Sequence, residues 1–202
     1  MIKNILVACE FSGTVREAFR ELGFNAWSCD VLPSDLPGNH IQGDVREVLN
    51  HEWDLMIAHP PCTYLTNSGV CHLHTDPSRW AKLDEAAEFF KALLDAPIAH
   101  IAIENPIPHK YASERIGQKY SQIIQPWQFG HAESKANCLW LKNLPKLEES
   151  GNVKAQMLLL PANQRQRLHY LPPSKDRWKL RSKTYPGIAK AIAEQWSKVL
   201  SN

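Results

Sequence analysis

At 202 residues, with 44% hydrophobic and 22% charged side chains, the chain has ordinary globular composition, which excludes disorder, collagen-like repeats and coiled coil. One domain is expected over residues 1–202, because a core of this size buries roughly 70% of the unfolded surface and needs no disulfide or metal staple. The formal net charge of +2 neither demands nor excludes a polyanionic partner, so any nucleic-acid argument rests on local charge.

The predicted elements alternate between strand and helix. Ile2 to Ala8 is a short apolar run that stops at Glu10-Phe11-Ser12-Gly13, as a buried parallel strand would. Thr14 to Leu22 follows as a helix, with Val15, Ala18, Phe19 and Leu22 at helical spacing. Phe24 to Ser28 is a second strand ending at Cys29-Asp30, and Asp54 to Ala58 another, halted by Pro60-Pro61. Ser78 is placed to cap a helix over Arg79 to Leu94, with Ala86, Phe89, Phe90, Leu93 and Leu94 as its inward stripe. Ile98 to Ile103 is the next strand, Ser121 to Gln125 and Asn137 to Leu141 two more, and Ile188 to Leu200 a closing amphipathic helix. This alternation predicts an α/β fold with a doubly wound, mostly parallel sheet, in which ligands sit at the carboxyl ends of the strands.

The unusual polar residues gather at those ends. Cys62 follows two prolines that stiffen the backbone after a buried strand. A thiol is only a few per cent ionised at neutral pH, and helix N-termini facing a strand end are expected to lower its pKa. Cys9, Cys29 and Cys138 read instead as small buried hydrophobes. Glu104 directly follows the strand Ile98 to Ile103, where burial is expected to raise its pKa and let it donate a proton. Asp30 lies 17 residues after Gly13, near the ~20-residue interval at which nucleoside-binding sheets grip a ribose; Asp44 follows another β-like segment, and either acid alone also suits a turn. His59, Cys71, His72 and His74 match no structural zinc spacing, so no metal is expected. His72 and His74 are expected in a mobile polar loop, and Asn67 and Ser68, in the polar stretch after Cys62, are candidate nucleic-acid contacts.

Between Gln164 and Lys183 the composition shifts. Arg165, Arg167, Lys175, Arg177, Lys179, Arg181 and Lys183 stand against the single acid Asp176, with Tyr170 and Trp178 among them. Basic residues interleaved with aromatics suit a phosphate backbone and unstacked bases; a solvated positive loop has the same composition.

Taken in order, Phe11-Ser12-Gly13, Asp30, Gly43-Asp44-Val45, Pro60-Pro61-Cys62-Thr63 and Glu104-Asn105-Pro106 resemble the motifs of the cytosine-C5 DNA methyltransferases, and the chain is similar to the small, phage-type members. The resemblance spans roughly residues 1–142 and the final helix; Pro-Pro-Cys followed by Glu-Asn is its most specific part. It implies a Rossmann-like fold that binds S-adenosylmethionine, with DNA as partner. Phe11, Ser12 and Gly13 would form the first cofactor loop, with Pro60 also beside the cofactor. Asp30 would bind the ribose and Asp44 read the adenine. Cys62 would be the nucleophile and Glu104 the acid on the cytosine edge. Glu133-Ser134-Lys135-Ala136-Asn137 stands where the family has Gln-x-Arg-x-Arg, so Lys135 and Asn137 replace two arginines and Lys135 joins the catalytic set. Such a lysine also suits a donor bearing an extra carboxylate.

The departures matter as well. Thr14 and Val15 stand where glycines usually follow the first motif, and Tyr185-Pro186-Gly187-Ile188 lacks the usual Gly-Asn pair. The large region that reads DNA sequence in the family shrinks to residues 143–183, whose arginines and lysines (Arg165, Arg167, Arg177, Lys179 and Arg181 foremost) are expected to hold phosphates with little base readout. Three other readings stay open. His59-Pro60-Pro61-Cys62-Thr63-Tyr64 echoes the Asp/Asn-Pro-Pro-Tyr motif of amino-group methyltransferases; RNA or a free nucleotide is a possible substrate; and a catalytically silent nucleic-acid-binding relative would keep the same fold. No run approaches the ~18 apolar residues of a membrane span. The first residues lack a signal-peptide pattern, and five irregularly spaced cysteines form no disulfide framework. A cytoplasmic location, in a bacterial or phage-infected cell, is expected.

Overall fold

The computed structural model describes residues 2–200. In chain order the elements are β1 (Asn4–Ala8), α1 (Thr14–Glu21), β2 (Asn25–Asp30), β3 (His40–Gln42), β4 (Leu55–Ala58), α2 (His72–Thr75), α3 (Ser78–Leu94), β5 (His100–Pro106), α4 (Lys110–Ile116), β6 (Gln122–Ile124), β7 (Asn137–Lys142), α5 (Lys154–Leu159), α6 (Ala162–Arg165), α7 (Arg177–Ser182) and α8 (Pro186–Leu200). Among the described residues the strands form one seven-stranded sheet in the order β3-β2-β1-β4-β5-β7-β6. β1 to β5 run parallel, and β7 is antiparallel to both β5 and β6.

The period of two along each strand divides the core between the two faces. Leu6, Ala8, Met56, Ala58, Ile101 and Ile103 face one way, onto Leu83, Phe90 and Leu93 of α3. Ile5, Val7, Leu55, Ile57 and Ala102 face the other, onto Val15 and Phe19 of α1 and Ile188, Ile192 and Trp196 of α8. Strands buried on both sides explain their near-continuous apolar runs. The buried indoles are satisfied: Trp140 Nε1 donates to Gln118 O at 2.8 Å and Trp196 Nε1 to Pro145 O at 3.0 Å. Gly187, at the start of α8, permits a close approach: a Cβ there would lie 1.9 Å from Phe129 O.

Several local expectations need correction. Ser78 does not cap α3: it is the first residue of the helix, after Pro77, and its N and Oγ donate to Asp76 Oδ1 at 3.1 and 2.6 Å. The buried stripe of α3 is Leu83, Ala87, Phe90, Leu93 and Leu94, with Ala86 and Phe89 only partly covered. His72 and His74 lie in the short helix α2, not in a loop. The segment 143–183 holds three short helices, α5 to α7.

Two features bring the polar residues together. The sheet reverses its winding between β1 and β4, which opens a crevice at their carboxyl ends. Ala8, Ala58 and Ile103 are aligned in register across β1, β4 and β5, so the residues that follow them emerge side by side. Because β7 runs the other way, its first residue, Asn137, pairs with Pro106 at the far end of β5. The residues just before β7 therefore arrive at the same edge. Its ladder also carries β5 beyond β4, so Glu104 and Asn105 lie within β5, opposite Leu139 and Cys138, rather than after it.

Candidate active site

At that edge Cys62, Glu104 and Lys135 line one pocket of about 610 Å³. The turn after Pro60-Pro61 is tight: Leu65 N and Thr66 N both donate to Cys62 O, at 3.0 and 3.2 Å. The stretch beyond it is tied to the end of β5, since His109 N donates to Leu65 O at 2.9 Å. Pro60 O accepts Asn105 Nδ2 at 2.8 Å, which locks the end of β4 to β5.

Glu104 is the centre of the electrostatics. Its Oε2 meets His59 Nδ1 at 3.1 Å, with the two side chains 15% and 9% exposed. Burial pushes the carboxyl up, but the hydrogen bond from His59 and the charges of Lys135 and His59 outweigh it, and the group sits below its ordinary value. The expected proton donor is thus an ionised carboxylate in the free protein. Its other oxygen, Oε1, is buried without a hydrogen-bond partner among the described residues, as is Asn105 Oδ1. An unpaired buried carboxylate oxygen is costly, which marks a place for a donor from a ligand.

Cys62 also departs from expectation. Burial and the nearby Glu104 charge push its thiol up; Lys135, its own backbone N–H and Arg181 act the other way without offsetting them. Lys135 is held by its backbone, N to Gln125 Oε1 at 3.0 Å, and its Nζ donates to Arg181 O at 3.0 Å. Asn137 lies within β7, 5% exposed, with its Oδ1 unpaired among the described residues.

The cofactor candidates gather at the ends of β1 and β2. Phe11 and Ser12 are buried, and Gly13 starts α1 at φ 73°. Glu10, which sequence reasoning passed over, caps that helix: its Oε1 accepts Val15 N at 2.7 Å and its Oε2 accepts Arg16 N at 3.2 Å. Asp30 Oδ1 accepts Leu32 N at 2.9 Å, and burial raises its pKa despite that bond. Burial first, then Asp30, Cys29 and Asp44, push the Cys9 thiol strongly up, so both carboxylates bear on the end of β1. Two acids converging beside the glycine turn fit a cationic, hydroxyl-bearing ligand. The fit is weaker at Asp44, where Arg46 Nε lies 3.0 Å from each carboxylate oxygen and holds the group below its usual range.

The nucleic-acid candidates divide. Asn67, Ser68 and Arg181 line the pocket, together with Trp178, whose ring lies 5.9 Å from that of Phe11. Arg177 and Lys179 share α7 with Trp178; Arg177 Nη2 donates to His169 O at 3.1 Å, and Lys179 Nζ lies 5.7 Å from the Trp178 ring centre. Arg165 and Arg167 are not among the pocket's lining residues. Arg167 Nε bonds Glu133 Oε1 at 3.0 Å with its side chain half exposed, and Glu133 Oε2 takes the Tyr185 hydroxyl at 2.7 Å. Among the pocket residues that had gone unassigned are His59 and Arg79. His59 carried a signal, its position at a strand end before Pro-Pro; Arg79, stacked 4.8 Å over Tyr64, carried none.

No protein-family model matches the chain, and no curated protein does. Solved structures resemble it distantly. A candidate DNA modification methyltransferase encoded within an E. coli prophage is 15% identical, with a TM-score of 0.45, over 79% of this chain and 56% of that one. The bifunctional kinase-methyltransferase WbdD is 16% identical, with a TM-score of 0.44, over 73% of this chain and 36% of that one. An rRNA methylase from Escherichia coli is 14% identical, with a TM-score of 0.38, over 70% and 57%. The chain thus spans between about a third and three fifths of the length of these proteins.

Proposed function

We propose that the protein is an S-adenosylmethionine-dependent methyltransferase that modifies C5 of cytosine in DNA through a covalent adduct on Cys62. The observation that carries this reading is the meeting of Cys62, Glu104 and Lys135 in one pocket, with a buried Glu104 oxygen left unpaired. Asp30 and the Phe11-Ser12-Gly13 turn would hold the donor, which supplies a methyl group on a sulfonium. A donor with an extra carboxylate would meet Lys135.

C5 of cytosine is a weak nucleophile. Addition of sulfur at C6 turns the ring into an enamine, dividing one hard step into easier ones. The protonation states suit that addition: the Cys62 thiol holds a proton and Glu104 lacks one. As the Sγ–C6 bond forms, the thiol proton passes to Glu104 and on to ring N3, so the adduct is neutral and no proton need come from water. Positioned acid–base help of this kind is worth ~100–10,000-fold. Lys135 stabilises both the carboxylate and the emerging sulfur charge. A target in duplex DNA must first leave the stack, at a cost of a few kcal/mol. Arg181, Asn67 and Ser68 on the pocket wall would take the flanking phosphates, and Trp178 offers a stacking face.

The test is incubation with DNA and S-adenosylmethionine, digestion to nucleosides and mass spectrometry, which reports the modified base and the mass transferred. 5-Methylcytosine is expected, and it should vanish in Cys62→Ser; full activity of that variant refutes the covalent route. A second reading, amino-group methylation, gains from the raised thiol and from His59 standing at the acid position of the Asp/Asn-Pro-Pro-Tyr pattern; it predicts N-methylated bases and a tolerant Cys62. Parallel assays on duplex DNA, tRNA and dCMP identify the substrate.

A further inference from the structure

Once a methyl group has joined C5, the proton on that carbon must leave before sulfur can. Cys62 is then bonded to the ring, Glu104 is engaged at N3, and an ammonium such as Lys135 has no lone pair. His59 remains. Its side chain is 9% exposed, its Nδ1 lies 3.1 Å from Glu104 Oε2, and it lines the pocket that holds Cys62. In the neutral ring, a hydrogen on Nδ1 facing the Glu104 carboxylate leaves the lone pair on Nε2. Nε2 is buried and has no hydrogen-bond partner among the described residues.

Other histidines of this chain show what a structural imidazole looks like. His109 Nε2 donates to Tyr64 O at 2.9 Å while its Nδ1 accepts from Ala112 N at 3.0 Å. His40 has Ser28 Oγ 2.8 Å from Nδ1 and Leu32 O 2.9 Å from Nε2. Both rings are satisfied at each nitrogen. His59 is oriented by a carboxylate on one side and bare on the other, the arrangement of a general base.

We propose that His59 Nε2 is the base that removes the C5 proton, an assignment that rests on the cytosine-C5 reading above. The C5–H pair becomes the C5–C6 double bond, and the C6–S pair leaves with Cys62 as thiolate. The N3 proton returns through Glu104 to that sulfur. The one proton the reaction releases is on His59, where the Glu104 carboxylate stabilises the imidazolium until water takes it.

The test uses the full chain with His59→Gln and His59→Asn, whose amides keep a donor for Glu104 but offer no base, and with His59→Ala. On an oligonucleotide carrying 5-fluorocytosine, which has no removable C5 proton, the amide variants should form the methylated adduct as fast as the wild type. On ordinary cytosine their turnover should fall ~100-fold or more, tritium release from C5 should fall with it, and the adduct should accumulate. Free imidazole should restore part of the activity of His59→Ala, a readout that does not depend on the amide variants folding. Wild-type turnover in the variants overturns the assignment, as does loss of trapping in step with turnover, which would make His59 only a holder of Glu104. A wild-type protein that neither traps 5-fluorocytosine nor releases tritium refutes the parent reading, and is told apart because no variant enters that comparison.

Discussion

Replacing Arg16 by methionine keeps most of the side-chain volume and removes a guanidinium that has no solvent exposure. That group donates to Ser28 Oγ at 2.9 Å, Ser34 Oγ at 3.1 Å, Leu36 O at 3.0 Å and Pro37 O at 3.1 Å, and pairs with Glu17 at 2.8 Å. The acceptors between 34 and 37 sit on an exposed or half-exposed segment and regain water when it loosens, while buried Ser28 keeps its contact with His40. The loss is therefore that of several hydrogen bonds to a charged donor, ~1.5–3 kcal/mol each, less the desolvation that a buried cation no longer costs. Glu17 is partly exposed and keeps its bond to Arg20, so no buried charge is left unpaired; the lost hydrogen bonds less several kcal/mol of desolvation leave a net ~3–5 kcal/mol. At ~2–4 °C per kcal/mol for a chain of this size, Tm should fall by about 6–20 °C. The same segment closes on the proposed donor site, since Leu32 N bonds Asp30 Oδ1 and Asp35 N bonds Phe11 O at 2.8 Å. Donor affinity, followed by calorimetry, should weaken more than DNA affinity does. Thermal unfolding within ~1 kcal/mol of the wild type, the range of an ordinary surface substitution, together with unchanged donor affinity would refute this reasoning.

Three further outcomes follow from the same geometry. Gly187→Ala puts a Cβ 1.9 Å from the Phe129 carbonyl, so urea unfolding should show a loss of ~2–4 kcal/mol, within the range of severe overpacking; a midpoint equal to the wild type would contradict the packing. Glu104 is held below its ordinary value by the His59 bond and the Lys135 charge, against burial. Its contribution to stability is then complete above the unfolded carboxylate pKa of ~4.3 and is lost as pH falls through the depressed folded value. The stability gap between wild type and Glu104→Gln should narrow across that acid window, and a gap independent of pH would refute the ionised state. The Cys62 thiol, pushed up by burial and then by Glu104, should alkylate slowly at neutral pH, far behind exposed Cys71. Glu104→Gln should speed its modification several-fold, read site by site by mass spectrometry; a slower rate would reverse the sign of the coupling.

The fold and the list of strand-end residues were legible in the sequence because both rest on local pattern. Apolar runs buried on both faces, broken by Ser12-Gly13, Pro60-Pro61 and Asn105-Pro106, mark strands and where they stop. The carboxyl end of such a strand is the ligand edge in any doubly wound sheet. Cys62, Glu104, Asp30 and the Phe11-Ser12-Gly13 turn could be named on that basis alone. Arg16 and Glu10 could not: their side chains are ordinary surface types, and their burial comes from the loop 34–39 and the first turn of α1 closing over them.

Proton placement belongs to the tertiary structure. Glu104 after an apolar strand promises a raised pKa, and Cys62 at a strand end promises a lowered one; both go the other way. Glu104 is decided by His59 from the end of β4 and Lys135 delivered by an antiparallel β7, Cys62 by its burial and by the Glu104 charge, against Lys135 and Arg181 from α7. These groups are separated along the chain and meet only when the strands pair. Sequence spacing carries which chemical groups reach the edge of the sheet. Charge acts through space, so which of them holds the proton is fixed only once the sheet has assembled.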